Sequence, residues 1–348
     1  MDLTSMKSGI SRDGTEPELN PYSVTRGPQS PPTLGEMLCE VCGVSNAGLA
    51  FRVEYPIADR RLGYQYRQCE RCRSLTLINP PMDLAPYYAR DSYYSTRGVD
   101  MIDRVIGLMV AKVSFEGRGW WHRRLEAHSL DDPALLAIGQ LGLPRTARIL
   151  DVGCGSGRLL ARLSLLGFSN LTGCDPFAVP ATYGPVRVFR RELAQLPQLP
   201  PFDLIMFHHS LEHTPHPARE LAAARQRIEP SGRLLVRLPV IGPAFETLGP
   251  RWSALDPPRH LVLPSLVGLQ QLLQRTGFTT VEAYFDSKEW QFMPRGHNES
   301  LDLNCYRSRV TTLRSKLFNR RFQEFIRLAK VQNERGLGDC VAIFAKPS

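Results

Sequence analysis

Ile149-Leu150-Asp151-Val152-Gly153-Cys154-Gly155-Ser156-Gly157-Arg158-Leu159 runs from an apolar strand through three glycines into the start of a helix. Glycines let the backbone turn sharply and let a ligand touch the main chain, and the helix beyond presents unpaired N–H groups. The spacing is G-x-G-x-G, with Arg158 where the dinucleotide fingerprint G-x-G-x-x-G needs its last glycine. Asp151 stands two residues before the first glycine, where it would repel a pyrophosphate and suit a cationic ligand. A second acid, Asp175, closes Thr172-Gly173-Cys174-Asp175-Pro176 about 20 residues further on. An acid at the end of a second strand can accept hydrogen bonds from both hydroxyls of a ribose. Asp151, Gly153, Gly155, Gly157 and Asp175 are therefore the candidate cofactor-binding residues.

Outward from this loop the chain alternates strand and helix. Strands are expected at 147–152, 170–174, 186–189, 202–207, 233–238, 279–285 and 340–345, with helices at 133–142, 157–166, 217–228 and 264–276. Alternation at this spacing predicts an α/β fold with a doubly wound parallel sheet and helices on both faces. Before it, apolar spacing predicts one helix from about 101 to 127. Near the end, 307–334 reads as a polar, Arg-rich helix.

The N-terminal part has a different character. Residues 1–35 are rich in Ser, Pro, Gly and charge with no repeating apolar face, which predicts a disordered leader. Next come Cys39-Glu40-Val41-Cys42 and Cys69-Glu70-Arg71-Cys72, two C-x2-C knuckles separated by 26 residues. Four thiolates on two knuckles suit structural zinc, so Cys39, Cys42, Cys69 and Cys72 are the candidate metal ligands. Apolar and aromatic residues alternate between the pairs (Leu49, Phe51, Val53, Tyr55, then Tyr64 and Tyr66), as in short strands. Disulfides are disfavoured, because no apolar leader directs this sequence to an oxidising compartment and a cytoplasmic location is the expectation. No apolar run reaches the roughly 20 residues needed to span a bilayer.

The charge is +9, from 43 Lys and Arg against 34 Asp and Glu. The excess is mostly Arg, scattered in pairs such as Arg60-Arg61 and Arg190-Arg191. No run of five or six exists and aromatics do not interleave with it, so nucleic acid is not the favoured partner.

At the glycine loop and the acid of the second strand the chain resembles the class I S-adenosylmethionine-dependent methyltransferases. The resemblance continues through Phe202-Asp203-Leu204-Ile205 and Leu211-Glu212-His213-Thr214-Pro215-His216-Pro217, the E-H-x-x-x-P segment of small-molecule members. It includes the turn and strand from Ile228 to Val236, Arg259-His260-Leu261 and Thr276-Gly277-Phe278, and covers most of 145–348. It implies S-adenosylmethionine as cofactor and a Rossmann-like methyltransferase domain over 136–348. A zinc ribbon over 36–80 and a helical, aromatic linker over 81–135 precede that domain. The family often places an acid near the adenine after the third strand; in Arg190-Arg191-Glu192-Leu193 only Glu192 can serve. A cysteine ribbon ahead of such a domain, with Asn79-Pro80-Pro81 and Tyr87-Tyr88 between, resembles bacterial C-methyltransferases of deoxysugar, natural-product and cell-envelope polysaccharide pathways. That resemblance implies a small-molecule acceptor. An RNA methyltransferase, with the ribbon and Arg residues on phosphates, and a non-catalytic scaffold are the alternatives.

Four histidines, His208, His209, His213 and His216, follow the fourth strand, whose carboxyl end faces the ligand crevice of such sheets. His208 or its neighbour is expected against the cofactor. His213 and His260 are the candidate bases, needed where the acceptor must lose a proton. The run H-H-x3-H-x2-H matches no recognised metal geometry. Trp252, Tyr87, Tyr88 and Tyr94 are candidate walls for the acceptor. Cys154 and Cys174 are expected to pack as small apolar residues.

Overall fold

The computed structural model describes residues 38–45, 48–57, 60–88, 101–292 and 319–348. The leader, Tyr94 and the first part of the helix expected over 307–334 lie outside the described residues. The chain begins with three strands, β1 (Ala50–Ile57), β2 (Arg60–Gln68) and β3 (Leu75–Leu77). Where one helix is expected over 101–127 there are two, α1 (Met101–Glu116) and α2 (Gly119–Ala127). Gly117 breaks them apart by taking a left-handed conformation, φ 59°, that no helix continues through. Asp132 caps α3 (Pro133–Gln140), its side chain accepting from the N–H groups of Ala134 and Leu135.

The alternating part then unfolds as expected. β4 (Arg148–Val152) leads to α4 (Arg158–Leu165), followed by β5 (Asn170–Cys174), β6 (Ala181–Tyr183), β7 (Val186–Phe189) and β8 (Phe202–His208). After α5 (Pro217–Arg225) come β9 (Ile228–Pro239), α6 (Pro243–Leu248), β10 (Val262–Leu263), α7 (Leu266–Arg275), β11 (Phe278–Phe285), α8 (Arg320–Glu334) and β12 (Cys340–Pro347). Eight strands form one Rossmann-like sheet in the order β11-β12-β9-β8-β4-β5-β7-β6. Its centre, β9-β8-β4-β5-β7, is parallel. The expectation of a parallel sheet fails at both margins. β12 enters antiparallel between β9 and β11, and β6 turns back on β7 as an edge hairpin. β12, covered on both faces, reads as a continuous apolar run whichever way it points, so the sequence carries no sign of its direction.

The period of two along β8 divides the interior. Leu204 and Met206 face a core with Leu135 and Ile138 of α3 and Leu160 and Leu163 of α4. Ile205 and Phe207 face the opposite core, with Leu221 of α5 and Leu269, Leu272 and Leu273 of α7. That second core runs on without a break into the cysteine region, through Val41, Tyr64, Tyr66 and Leu75. The join is covalent-free but hydrogen-bonded: β10 pairs antiparallel with β3, Val262 opposite Thr76 and Leu263 opposite Leu75. A four-stranded sheet β1-β2-β3-β10 results, whose last strand comes from the other end of the sequence. Leu49 departs from the expected alternation; it precedes β1 and is exposed. No helix among the described residues is long and apolar enough to cross a membrane.

Candidate active site and cysteine cluster

β4 is flanked by β5 on one side and β8 on the other, so the chain crosses over in opposite directions from this strand and a crevice opens at its carboxyl end. The glycine loop fills the floor of that crevice. Gly153 has φ 75°, and a Cβ there would meet the Ser210 Cβ at 2.3 Å. Ser210 in turn donates to the carbonyl of Val152, tying the loop after β8 to the end of β4. The Gly155 N–H donates to Asp175 Oδ2 at 3.0 Å and the Phe177 N–H to Oδ1 at 2.7 Å. Each carboxylate oxygen keeps a further lone pair, so the acid can still accept hydroxyls. Asp151 lies buried beneath the loop, and burial first, then the Asp175 charge, pushes its carboxyl up to about 8. Cys174 is buried in one core and half-buried Cys154 packs against the other, where a Cβ on Gly173 would meet its Sγ at 2.5 Å.

From Asp175 a line of rings leads to the two histidines. Phe177 stacks on Tyr88 with ring centres 4.7 Å apart. The Tyr88 hydroxyl bonds His213 Nδ1 at 2.9 Å, and that nitrogen also lies 3.0 Å from the Arg259 carbonyl. His213 meets His260 edge-on with ring centres 4.8 Å apart. His260 Nδ1 donates to the Ala254 carbonyl at 2.6 Å. Burial, then the neighbouring His260, lowers the His213 imidazole to about 4, so it is neutral at pH 7. The structure thus brings together the two candidate bases from loops far apart in sequence, on the same side as Asp175.

The other expected residues are placed less simply. His208, at the end of β8, has a buried Nδ1 without a hydrogen-bond partner. Its neighbour His209 bonds Glu212 Oε1 at 3.3 Å through Nδ1 and Arg237 through Nε2, and Asp286 holds Arg237. Glu192 is exposed in the turn after β7, and its charge helps burial to raise Glu220 on α5. Trp252 is not a pocket wall. It is fully buried in the core, with its indole N–H on Asp339 Oδ2 at 2.9 Å and its ring edge-on to Phe245 at 5.7 Å between centres.

Two residues that sequence reading passed over matter here. Glu212 is fully buried between His209 and His213. Tyr66 of β2 places its hydroxyl 2.7 Å from the carbonyls of both Leu255 and His260. Only the alternation of aromatics along β2 hinted that Tyr66 points inward.

The four cysteines converge as their spacing predicts. Their sulfurs all lie within 4.8 Å of one another, with Cys39 to Cys72 at 3.6 Å and Cys42 to Cys69 at 3.7 Å. A tetrahedron with zinc–sulfur arms of about 2.3 Å has edges of about 3.8 Å. The donor set therefore fits zinc. The hydrogen bond between Cys39 and Cys72 splits that pair, holding the Cys72 thiol down and pushing the Cys39 thiol up, while burial pushes Cys42 up.

Residues 120–283 match the family described as a methyltransferase domain. The ubiquinone biosynthesis O-methyltransferase of Pseudomonas aeruginosa is 30% identical over 142 residues, 36% of this chain and 60% of that protein. The tRNA U34 carboxymethyltransferase of Shewanella baltica is 27% identical over 174 residues, 44% of this chain and 51% of that protein. The chain thus spans between 51% and 60% of the length of these curated relatives. Among solved structures, the 1,6-didemethyltoxoflavin-N1-methyltransferase of Burkholderia thailandensis has a TM-score of 0.40 at 15% identity, covering 85% of this chain and 99% of that one. The family match takes in the glycine loop, Asp175, His213 and His260, and leaves the cysteine cluster outside it.

Proposed function

We propose that the chain is an S-adenosylmethionine-dependent methyltransferase acting on a small-molecule acceptor, with a zinc ribbon docked on its catalytic domain. The observation that carries this reading is the pair of acids at the switch point of the sheet. Asp175 is presented at the tip of β5 with acceptor capacity to spare, and Asp151 lies buried, its carboxyl raised by burial and by the Asp175 charge. A ribose diol suits the first and an ammonium group the second. S-adenosylmethionine, when bound, supplies a methyl group on a sulfonium. The chain's own residues would bind, orient and deprotonate. Gly153 lets the ligand approach the backbone, Gly155 and Gly157 shape the same turn, and Glu192 and His208 remain candidates for the adenine side and the crevice wall.

Methyl transfer is an in-line displacement, so positioning does much of the catalysis. An acceptor hydroxyl or acidic carbon must also lose a proton. His260 turns Nδ1 to the Ala254 carbonyl, and His213 turns Nδ1 to the Arg259 carbonyl and the Tyr88 hydroxyl, so Nε2 of either ring is the nitrogen free to take that proton. The ribbon ahead of the domain and the Glu212-His213 segment support a sugar-like or secondary-metabolite acceptor. The tRNA-modifying relative keeps RNA as the second reading, with scattered Arg residues as the phosphate contacts.

Calorimetry with S-adenosylhomocysteine tests the cofactor assignment. Asp175→Ala should weaken binding by about 1–3 kcal/mol through loss of the ribose contact. Affinity unchanged in Asp175→Ala, or no binding to the wild type, overturns the reading. Methyl-transfer assays with nucleotide-activated sugars and with bulk tRNA then separate the two acceptor classes.

A further inference from the structure

The turn after β8 and the loop before β10 bring Glu212, His213 and His260 together, with candidate ligand atoms all within 4.8 Å of one another. Spacing along the sequence hides this set, because one histidine comes from a distant loop and the third donor is a carboxylate. Glu212 is fully buried, and while Oε1 faces His209, Oε2 has no hydrogen-bond partner. A buried carboxylate oxygen without a donor is costly, and a cation is the partner that removes the cost.

The surroundings are those of a supported metal site. Metal-binding histidines hand their other ring N–H to a carbonyl or carboxylate, and binding carboxylates are themselves hydrogen-bonded. His260 Nδ1 is on the Ala254 carbonyl at 2.6 Å and His213 Nδ1 is 3.0 Å from the Arg259 carbonyl. Glu212 Oε1 is held by His209, which Arg237 fixes from its far side. Asp256 adds negative charge at the rim, 4.0 Å from His260 Nε2, while paired with Arg259.

We infer that Glu212, His213 and His260 form a second metal site, a two-histidine, one-carboxylate set for a divalent transition-metal cation, separate from the four cysteines. Three protein donors with a position left open is the arrangement of catalytic rather than structural zinc. Arms of about 2.1 Å give ligand–ligand edges of about 3.4 Å, so the cluster closes on a cation by side-chain rotations on the order of an ångström. Only the role of the cation rests on the methyltransferase reading. The open position would take the acceptor oxygen and acidify its hydroxyl. The proton then passes to water, and an oxygen lone pair bonds the methyl carbon as the sulfur–carbon bond breaks, its electrons staying on sulfur. A nitrogen that holds the cation cannot also take a proton, so deprotonation moves from imidazole to metal.

The test uses the full chain with zinc in its cysteines. Cobalt(II) is added to saturation, the protein is desalted, and total divalent metal is counted alongside the absorption spectrum. Two metals per chain are expected, the second without a thiolate-to-cobalt charge-transfer band. His260→Asn, His213→Asn and Glu212→Gln should each return the count to one and keep S-adenosylhomocysteine affinity within about twofold, a difference well under 1 kcal/mol. The histidine variants sit on half-buried loops and decide the matter if Glu212→Gln does not fold. A count of one in the wild type overturns the site, as does a second metal that persists in both histidine variants. Failure of the wild type to bind S-adenosylhomocysteine would instead strike at the methyltransferase reading and leave the metal count standing.

Discussion

Asp151 is the residue on which the chemistry of the crevice turns. In the ligand-free chain its carboxyl titrates at about 8, chiefly through burial, so it is protonated at neutral pH. A bound ammonium group favours the ionised form, so binding must expel the proton. S-adenosylhomocysteine affinity should therefore rise with pH by up to about tenfold per unit, one proton per ligand, and level off above pH 8. Calorimetry in two buffers of different ionisation enthalpy counts the proton released. Asp151→Asn should bind more weakly and lose the pH dependence. If the wild type binds with no proton exchange at pH 7, Asp151 does not face the cation.

At the scale of elements, the cysteine ribbon holds the loop that carries His260. β10 is a strand only because β3 offers it a partner. Ser265 caps α7 by accepting from the Gly268 N–H, while its hydroxyl donates to the Cys72 carbonyl and its N–H to Ser74 Oγ. With zinc on the four cysteines as proposed, its removal by a chelator, or by Cys72→Ser, should therefore loosen residues 260–268. Amide exchange there should accelerate at least tenfold, about 1.4 kcal/mol of local stability, while β4 and β8 keep their protection. Equal exchange with and without metal would show that the ribbon and this loop are independent. This coupling is also what the sequence hid. The glycine loop, Asp175 and the cysteine knuckles are legible because each function needs its residues within a few positions of one another. β6 and β10 are too short to display a period, and the pairing of β3 with β10 joins residues nearly two hundred positions apart. The meeting of Glu212 with His260 is hidden for the same reason. Trp252 misleads because an aromatic in a loop gives no sign of whether a buried acceptor such as Asp339 awaits its N–H.

Across the whole molecule, one core serves both the ribbon and one face of the sheet, so the burial that stabilises the fold also dehydrates the groups of the site. The raised acids and lowered histidines oppose one another in their effect on stability. His213, at about 4, and His209, at about 3, sit below their unfolded value, so stability from them grows as pH rises toward 6.5. Asp339, raised to about 6 by burial, and Asp151, raised to about 8, act in the other direction, since the folded state binds the proton more tightly. Above about pH 7.5 the histidines and Asp339 have finished titrating in both states, and of these four only Asp151 still changes; below that they contribute equally to the wild type and to a variant at Asp151. Cys39 and Cys42, raised, and Cys72, lowered, contribute with mixed signs, but they are common to the wild type and an Asp151→Asn variant. The difference in unfolding free energy between the two proteins isolates the acid. From pH 6.5 to 9 the ligand-free wild type should lose about 2 kcal/mol relative to Asp151→Asn, and the gap should be flat above that. Urea unfolding of both proteins across this range measures it. Saturating S-adenosylhomocysteine should remove the trend, because a cation beside Asp151 keeps the carboxylate ionised in the folded state. A difference that does not vary with pH would mean that Asp151 is already ionised beneath the glycine loop, and that the buried acid is not the cost which ligand binding relieves.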